Sequence, residues 1–177
     1  MSLIDYINKG GFIAYILLIF NIVGISTMLW KIVVIKRFRS SRSDIYREII
    51  DAVTEKNNIF KDETTTLEIL KDHIRGKVKE LELGLNTVRI IATIAPLLGL
   101  LGTVMGILGS FENISIEGMD DPSIFADNIS LALITTIGGL MVAVPHYIGY
   151  NYLIGFLDNL EQGMEQDVVE SFFKERK

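Results

Sequence analysis

The chain has 177 residues, 49% of them hydrophobic and 22% charged, with a formal net charge of −5. It has no cysteine, and its two histidines, His73 and His146, lie far apart in sequence, which excludes a disulfide scaffold, an iron–sulfur site and thiolate zinc and suggests no metal or cofactor. The acidic balance is not the footprint of a nucleic-acid binder, and no phosphate-binding glycine loop, nucleophile elbow or H-E-x-x-H segment occurs, so an enzyme is not expected.

Residues 10–30, 90–111 and 128–157 contain no Asp, Glu, Lys or Arg. About 20 helical residues at about 1.5 Å each cross a hydrocarbon core about 30 Å thick. The expected fold class is therefore all-α, an integral membrane protein with three transmembrane helices. Residues 1–36 hold the N-terminal segment and the first span. That span starts only after Asp5 and Lys9 and lacks a basic leader or cleavage site, which predicts a retained helix rather than a cleaved signal. Trp30 suits an interfacial anchor, and Lys31, Lys36, Arg37, Arg39 and Arg42 follow it. Basic residues stay on the cytoplasmic side, which puts the N-terminus in the periplasm and the C-terminus in the cytoplasm. The same cluster is expected to meet anionic lipid head groups.

Residues 37–88 form the expected cytoplasmic segment, helical in two pieces. Ser41 and Asp44 resemble a capping signal for a helix over residues 43–61, with Ile45, Ile49 and Val53 at helical spacing. Thr65 and Glu68 make a capping box before the stripe Leu67, Leu70, Ile74, Val78, Leu81, Leu85 and Val88. Only single glycines, Gly76 and Gly84, interrupt it, so one helix is predicted from about residue 67 to 111, with residues 89–111 as the second span. Residues 112–127 form a short outer loop with five acidic residues and no basic one. Its end carboxylates, Glu112 and Asp127, are candidates for a cation-concentrating pore mouth or simply solvated loop ends. The third span, residues 128–157, runs on through Leu160, Met164, Val168 and Phe172 into a C-terminal helix over 158–177. The second and third helices thus extend into the cytoplasm as a helical bundle, which leaves no room for a separate catalytic domain.

Polar and small residues inside the spans need a reason. On the second span Gly99, Thr103, Gly106 and Ser110 share a face, and Gly102 with Gly106 forms a GxxxG pair. On the third, Asn128, Ala132, Thr136, Gly139 and Ala143 share a face beside Thr135 and Pro145. Small residues let helices approach closely in lipid, so Gly99, Gly102, Gly106, Gly139 and Pro145 suit helix packing. The stripe either packs on a helix or lines a cavity. Thr103 lies about 4 Å outward of its span's middle and Thr136 about 5 Å outward of its own, so the two hydroxyls sit at nearly one level. His146 is the only titratable candidate inside the spans, either on a proton exit path or satisfied by a backbone carbonyl beside Pro145.

The stretch PLLGLLGTVMGILGSF, from Pro96 to Phe111, resembles the second-helix signature of the TolQ/ExbB/MotA family of proton-channel subunits. ISLALITTIGGLMVAVPHYIGYN, from Ile129 to Asn151, resembles its third-helix signature. The resemblance implies a homo-oligomer, a pentamer around a central pore holding two helices of an ExbD- or TolR-like single-span partner that supplies a transmembrane Asp. It implies a bacterial inner-membrane motor driven by the proton motive force, acting on a TonB- or TolA-like protein or a comparable load, with no nucleic acid involved. Thr103 and Thr136 fall on the family's pore threonines, Thr135, Asn128 and His146 accompany them as candidates for the proton path, and Pro145 falls on the proline after the third-helix motif. Leu131 stands where ExbB- and TolQ-like members often carry Glu, which leaves this subunit's pore without a carboxylate. Three spans and a short inner segment suit the ExbB or TolQ type better than MotA. The competing expectations are a self-sufficient ion channel or transporter and a structural membrane scaffold.

Overall fold

The computed structural model describes residues 10–41, 45, 49, 63–117 and 122–174. Four helices account for nearly all of them: α1 (Gly11–Ser40), α2 (Glu63–Glu82), α3 (Leu85–Glu117) and α4 (Pro122–Lys174). No strand occurs among the described residues. Gly11–Ser40, Leu85–Ile116 and Ala126–Glu170 are each long and apolar enough to cross a bilayer. No more than 33% of each apolar window is buried. Leu29, Leu97, Met105, Ile137 and Met141 are among the large side chains left exposed. So much outward apolar surface is stable only in a non-aqueous surrounding, and the chain is an all-α, three-span membrane protein.

The chain divides into two compact units. One holds Met1–Met28 and Asn86–Tyr150, the other Leu29–Leu85 and Asn151–Lys177. In the first, α4 packs on both α1 and α3. Ile13 and Leu17 of α1, Ile91 and Ala95 of α3, and Val142 and Ala143 of α4 form its buried centre, with Phe20 and Leu98 against them. A Cβ built on Gly138 would meet Leu17, one on Gly24 would meet the His146 ring, and one on Gly149 would lie 2.5 Å from Met28 Cε. The pairs rise together in number, so α1 and α4 run parallel. Along α3 the order reverses: Gly99 faces Gly139, Gly102 faces Thr135, and Gly106 faces Ala132. Those two helices are antiparallel.

The second unit is built on amphipathic stripes. Leu70, Ile74, Val78 and Leu81 of α2 are buried, as are Leu153, Leu157, Leu160, Met164 and Val168 of α4. Arg75 Nε lies 3.0 Å from Glu165 Oε1 and 3.5 Å from Glu161 Oε1. Arg75 is exposed, so this pair orients the helices more than it stabilises them.

Three boundaries differ from the sequence expectation. The helix predicted over residues 67–111 is broken: α2 ends at Glu82 and α3 starts at Leu85. Gly84 adopts φ +90°, a left-handed conformation open to glycine, which ends helices by turning the chain away. The carbonyl of Leu81, freed at that end, accepts a 2.9 Å hydrogen bond from the buried Lys31 Nζ. The expected 112–127 loop is largely helical, because α3 continues to Glu117 and α4 starts at Pro122, a residue suited to a first helical turn. The Thr65–Glu68 box lies inside α2, which begins at Glu63. The third span and the C-terminal helix are one helix, α4. Most of the expected 43–61 helix, with Asp44, lies outside the described residues. Of its positions Ile45 donates its backbone N–H to Ser41 O at 3.1 Å, and Ile49 is buried.

The two glycines of α2 and its end should respond in opposite senses. A Cβ at Gly76 meets nothing within 4 Å, so Gly76→Ala is expected to stabilise by about 0.5–1 kcal/mol. Gly84→Val forces a branched side chain into the left-handed region and should cost about 1–2 kcal/mol or more. Thermal unfolding of the purified protein in detergent should rise for the first and fall for the second.

Candidate functional site

The α3–α4 seam is a contact of backbone on backbone. A Cβ on Gly139 would lie 2.5 Å from Ala95 O and 3.1 Å from Gly99 Cα, and one on Gly99 would lie 2.8 Å from Thr135 O. A Cβ on Gly106 would lie 2.7 Å from Asn128 O. Without water to drive association, close van der Waals packing and interhelical hydrogen bonds must hold such helices, and glycine at these positions permits both.

That proximity brings the threonines together. Thr103 Oγ1 and Thr136 Oγ1 are hydrogen-bonded to each other. Thr103 Oγ1 also lies 3.1 Å from Ala132 O on α4 and 3.3 Å from Gly99 O on its own helix. Thr136 Oγ1 reaches across to Gly99 O at 3.3 Å. Each hydroxyl therefore contacts a carbonyl of the opposite helix, and both remain half-buried. Sequence counting expected the two at one level, and they meet there.

Thr135 has a different place. It is 2% exposed, sits where a Gly102 side chain would be, and reaches Ala132 O at 2.9 Å and Leu131 O at 3.2 Å. It is sealed in the seam behind the Thr103–Thr136 pair. One helical residue turns about 100°, so neighbouring positions cannot share a face. Asn128 is half-buried, with its side-chain amide 3.8 Å from the place a Gly109 Cβ would take. Ser110 is buried, its hydroxyl donating to Gly106 O at 3.1 Å.

Charge stays away from this centre. Glu112 and Asp127 are exposed, each nine residues along its helix from the threonine on that helix, or about 13 Å at the helical rise. Leu131 is half-buried. Among the described residues no group of three or more His, Cys, Asp or Glu is placed to hold a metal.

His146 is not brought to the threonines. It is fully buried on the α1 side of α4, its Nδ1 2.6 Å from Val142 O and its Nε2 without a hydrogen-bond partner. The ring occupies the space left by Gly24. Pro145, grouped from sequence with the packing glycines, is exposed instead. Lys36, Arg37 and Arg39 are exposed, and Arg42 lies outside the described residues. Lys31 does not share their exposure; it is buried on Leu81 O, with Nζ 4.9 Å from the Trp30 ring centroid.

Sequence reasoning missed Gly24 and the Met28–Gly149 contact. Gly24 is flanked by Ile22, Val23 and Ile25 in α1, a signal for close approach that needs a partner helix to be read.

The family model described as the MotA/TolQ/ExbB proton channel family matches residues 41–166. An ExbB-like 1 biopolymer transport protein of Helicobacter pylori is 31% identical over 161 residues, covering 84% of this chain and 85% of that protein. A biopolymer transport protein ExbB homolog of Methanothermobacter thermautotrophicus is 29% identical over 186 residues, covering 89% of this chain and 65% of that one. The biopolymer transport protein ExbB of Aquifex aeolicus is 42% identical over 76 residues, 43% of this chain and 51% of its own.

Because the chain is cysteine-free, a Thr103→Cys/Thr136→Cys pair reports the seam directly. It should oxidise readily in membranes. Adding Gly139→Val places side-chain atoms against the Ala95 carbonyl and should cost about 1–3 kcal/mol of packing, seen as a several-fold loss of cross-linked product.

Proposed function

The chain belongs to the MotA/TolQ/ExbB proton channel family, and we propose that it is the proton-channel subunit of an ExbB–ExbD or TolQ–TolR type inner-membrane motor. The observation that carries this reading is the hydrogen-bonded, half-exposed Thr103–Thr136 pair at the centre of an uncharged α3–α4 seam. A hydroxyl both donates and accepts. The pair can therefore donate to a carboxylate and accept from the protonated acid, but it cannot carry a charge itself. The carrier must belong to another polypeptide, an ExbD- or TolR-like single-span protein with an Asp in its helix.

In this reading copies of the chain, five by family precedent, surround the partner helices and turn their α3–α4 seams inward. The N-terminus, the end of α3 and the start of α4 face the periplasm, where Glu112 and Asp127 raise the local cation concentration. Lys36, Arg37 and Arg39 lie at the cytoplasmic face. A proton entering from outside neutralises the partner's Asp beside Thr103 and Thr136, and the neutral acid then passes apolar residues such as Leu131. The chain catalyses no covalent chemistry; it couples the proton motive force to work such as TonB-dependent import or Tol-Pal function.

Reconstitution with and without the single-span partner tests this. Proton flux is expected only with both proteins present, and Thr103→Ala or Thr136→Ala should each lower it at least tenfold, while the serine substitutions retain it. Robust flux from the chain alone would favour a self-sufficient channel. Energy coupling that survives both alanine substitutions would reduce the chain to a scaffold.

A further inference from the structure

Three hydroxyls converge on a limited set of acceptors at the α3–α4 seam. Thr103 Oγ1 is within reach of Thr136 Oγ1, of Ala132 O at 3.1 Å and of Gly99 O at 3.3 Å. Thr136 Oγ1 reaches Gly99 O at 3.3 Å, and Thr135 Oγ1 reaches Ala132 O at 2.9 Å and Leu131 O at 3.2 Å. A hydroxyl has one proton, and a carbonyl oxygen has two lone pairs. Within α4 one lone pair of Ala132 O already serves the backbone N–H four residues on. One remains, and both Thr103 and Thr135 lie within reach of it.

Of the proton arrangements that satisfy every hydroxyl, two differ in which threonine holds the spare lone pair of Ala132 O. In the first, Thr135 donates to Ala132 O, Thr103 donates to Thr136, and Thr136 donates to Gly99 O. In the second, Thr135 turns its proton to Leu131 O, Thr103 donates to Ala132 O, and Thr136 donates to Thr103. Of the pair, the hydroxyl that accepts no proton, and so keeps its lone pairs open, is Thr103 in the first arrangement and Thr136 in the second. While Thr135 holds Ala132 O, the second direction leaves Thr103 only the longer contact to Gly99 O at 3.3 Å, so the carbonyl that Thr135 takes biases which helix presents the open acceptor.

We propose that Thr135 is a positioning residue that biases the direction of the Thr103–Thr136 hydrogen bond by competing with Thr103 for the Ala132 carbonyl. It touches neither the ion nor the partner's acid, being 2% exposed and held where Gly102 has no side chain. Its effect is to let the pair present an acceptor first on one helix and then on the other, so a protonated acid can be handed across the seam without a charged group. This inference rests on the proton-channel reading above.

The test is proton flux in vesicles containing the chain with its single-span partner. It compares Thr135→Val, Thr135→Ser, Thr103→Val and the Thr103→Val/Thr135→Val double variant, each checked for intact assembly on native gels. Valine keeps the branched shape in the Gly102 notch but has no hydroxyl. Thr135→Val is expected to lower flux about three- to tenfold, the range for one hydrogen bond, while Thr135→Ser stays close to the unmodified protein. The double variant should be no slower than Thr103→Val, because Thr135 acts only through Thr103. Unchanged flux in Thr135→Val overturns the proposal. So does a loss that repeats in full on the Thr103→Val background, since that pattern belongs to packing. If Thr103→Val itself is neutral, the channel reading falls and this proposal with it; if it is crippled and Thr135→Val is neutral or additive, this proposal alone falls. Should Thr135→Val not assemble, Thr135→Ala, which removes the hydroxyl without a clash, takes its place with the same outcomes.

Discussion

The distance between the α3 and α4 backbones decides most of what this molecule can do. Gly139 lies against Ala95 O and Gly99 so closely that no side chain fits between them. In lipid a buried hydroxyl without a partner is costly, and a threonine at bundle depth must find a carbonyl. Here the helices are near enough for Thr103 to reach Ala132 O and for Thr136 to reach Gly99 O. The two threonines staple the helices reciprocally. If the seam widened by a methyl group, both would fall back on carbonyls of their own helices. The glycines therefore set the geometry of the threonine pair as well as the packing.

The two contacts of α4 obey different rules. Towards α3 it is small against small, backbone on backbone. Towards α1 it is large into small: the His146 ring fills the space beside Gly24, and Met28 fills the space beside Gly149. The first kind leaves hydroxyls at a half-exposed surface; the second seals a titratable ring completely inside. His146 Nδ1 is held on Val142 O, while Nε2 is buried without a hydrogen-bond partner. An unmet buried polar atom costs about 1–3 kcal/mol. That cost falls at a position distant from the threonine pair, where the ring is wedged into the α1–α4 contact beside Gly24.

How much of this was legible in the sequence depended on whether one helix sufficed to read it. The uncharged runs gave the spans, and counting residues from each span's middle put Thr103 and Thr136 at one depth. The face made of Ala132, Thr136, Gly139 and Ala143 follows from helical spacing alone. What stayed hidden needs a second helix. Thr135 and Thr136 are adjacent, and spacing does not tell which is sealed under Gly102 and which reaches the surface. Lys31 reads as one more basic residue beside a membrane until the end of α2 supplies the Leu81 carbonyl. Gly84 was misread for a local reason: the apolar stripe stays in register from Leu81 to Leu85 and Val88, so periodicity continues across a point where the backbone does not. A glycine there is compatible with a helix interior or a helix end, and only the φ of +90° decides.

An uncharged seam also restricts how energy could be transmitted through it. A full membrane potential contributes about 2.3 kcal/mol per charge per 100 mV, close to the about 2.5–3.5 kcal/mol that insertion scales assign to a carboxylate at a helix centre. With Leu131 in the seam and no carboxylate in residues 90–111 or 128–157, the seam can offer an ionised acid hydroxyl dipoles but no counter-charge. In the proposed motor an ionised partner acid would be held back by desolvation that hydroxyls offset only in part, and the protonated acid would meet only hydroxyls and aliphatic surface. Selection between the two forms would then come from the absence of charge. A Glu in place of Leu131 would add a second titrating group and couple its own proton to that of the partner. Under the proposed function, the hydroxyl-only arrangement would avoid that coupling and leave a single protonation event to control passage.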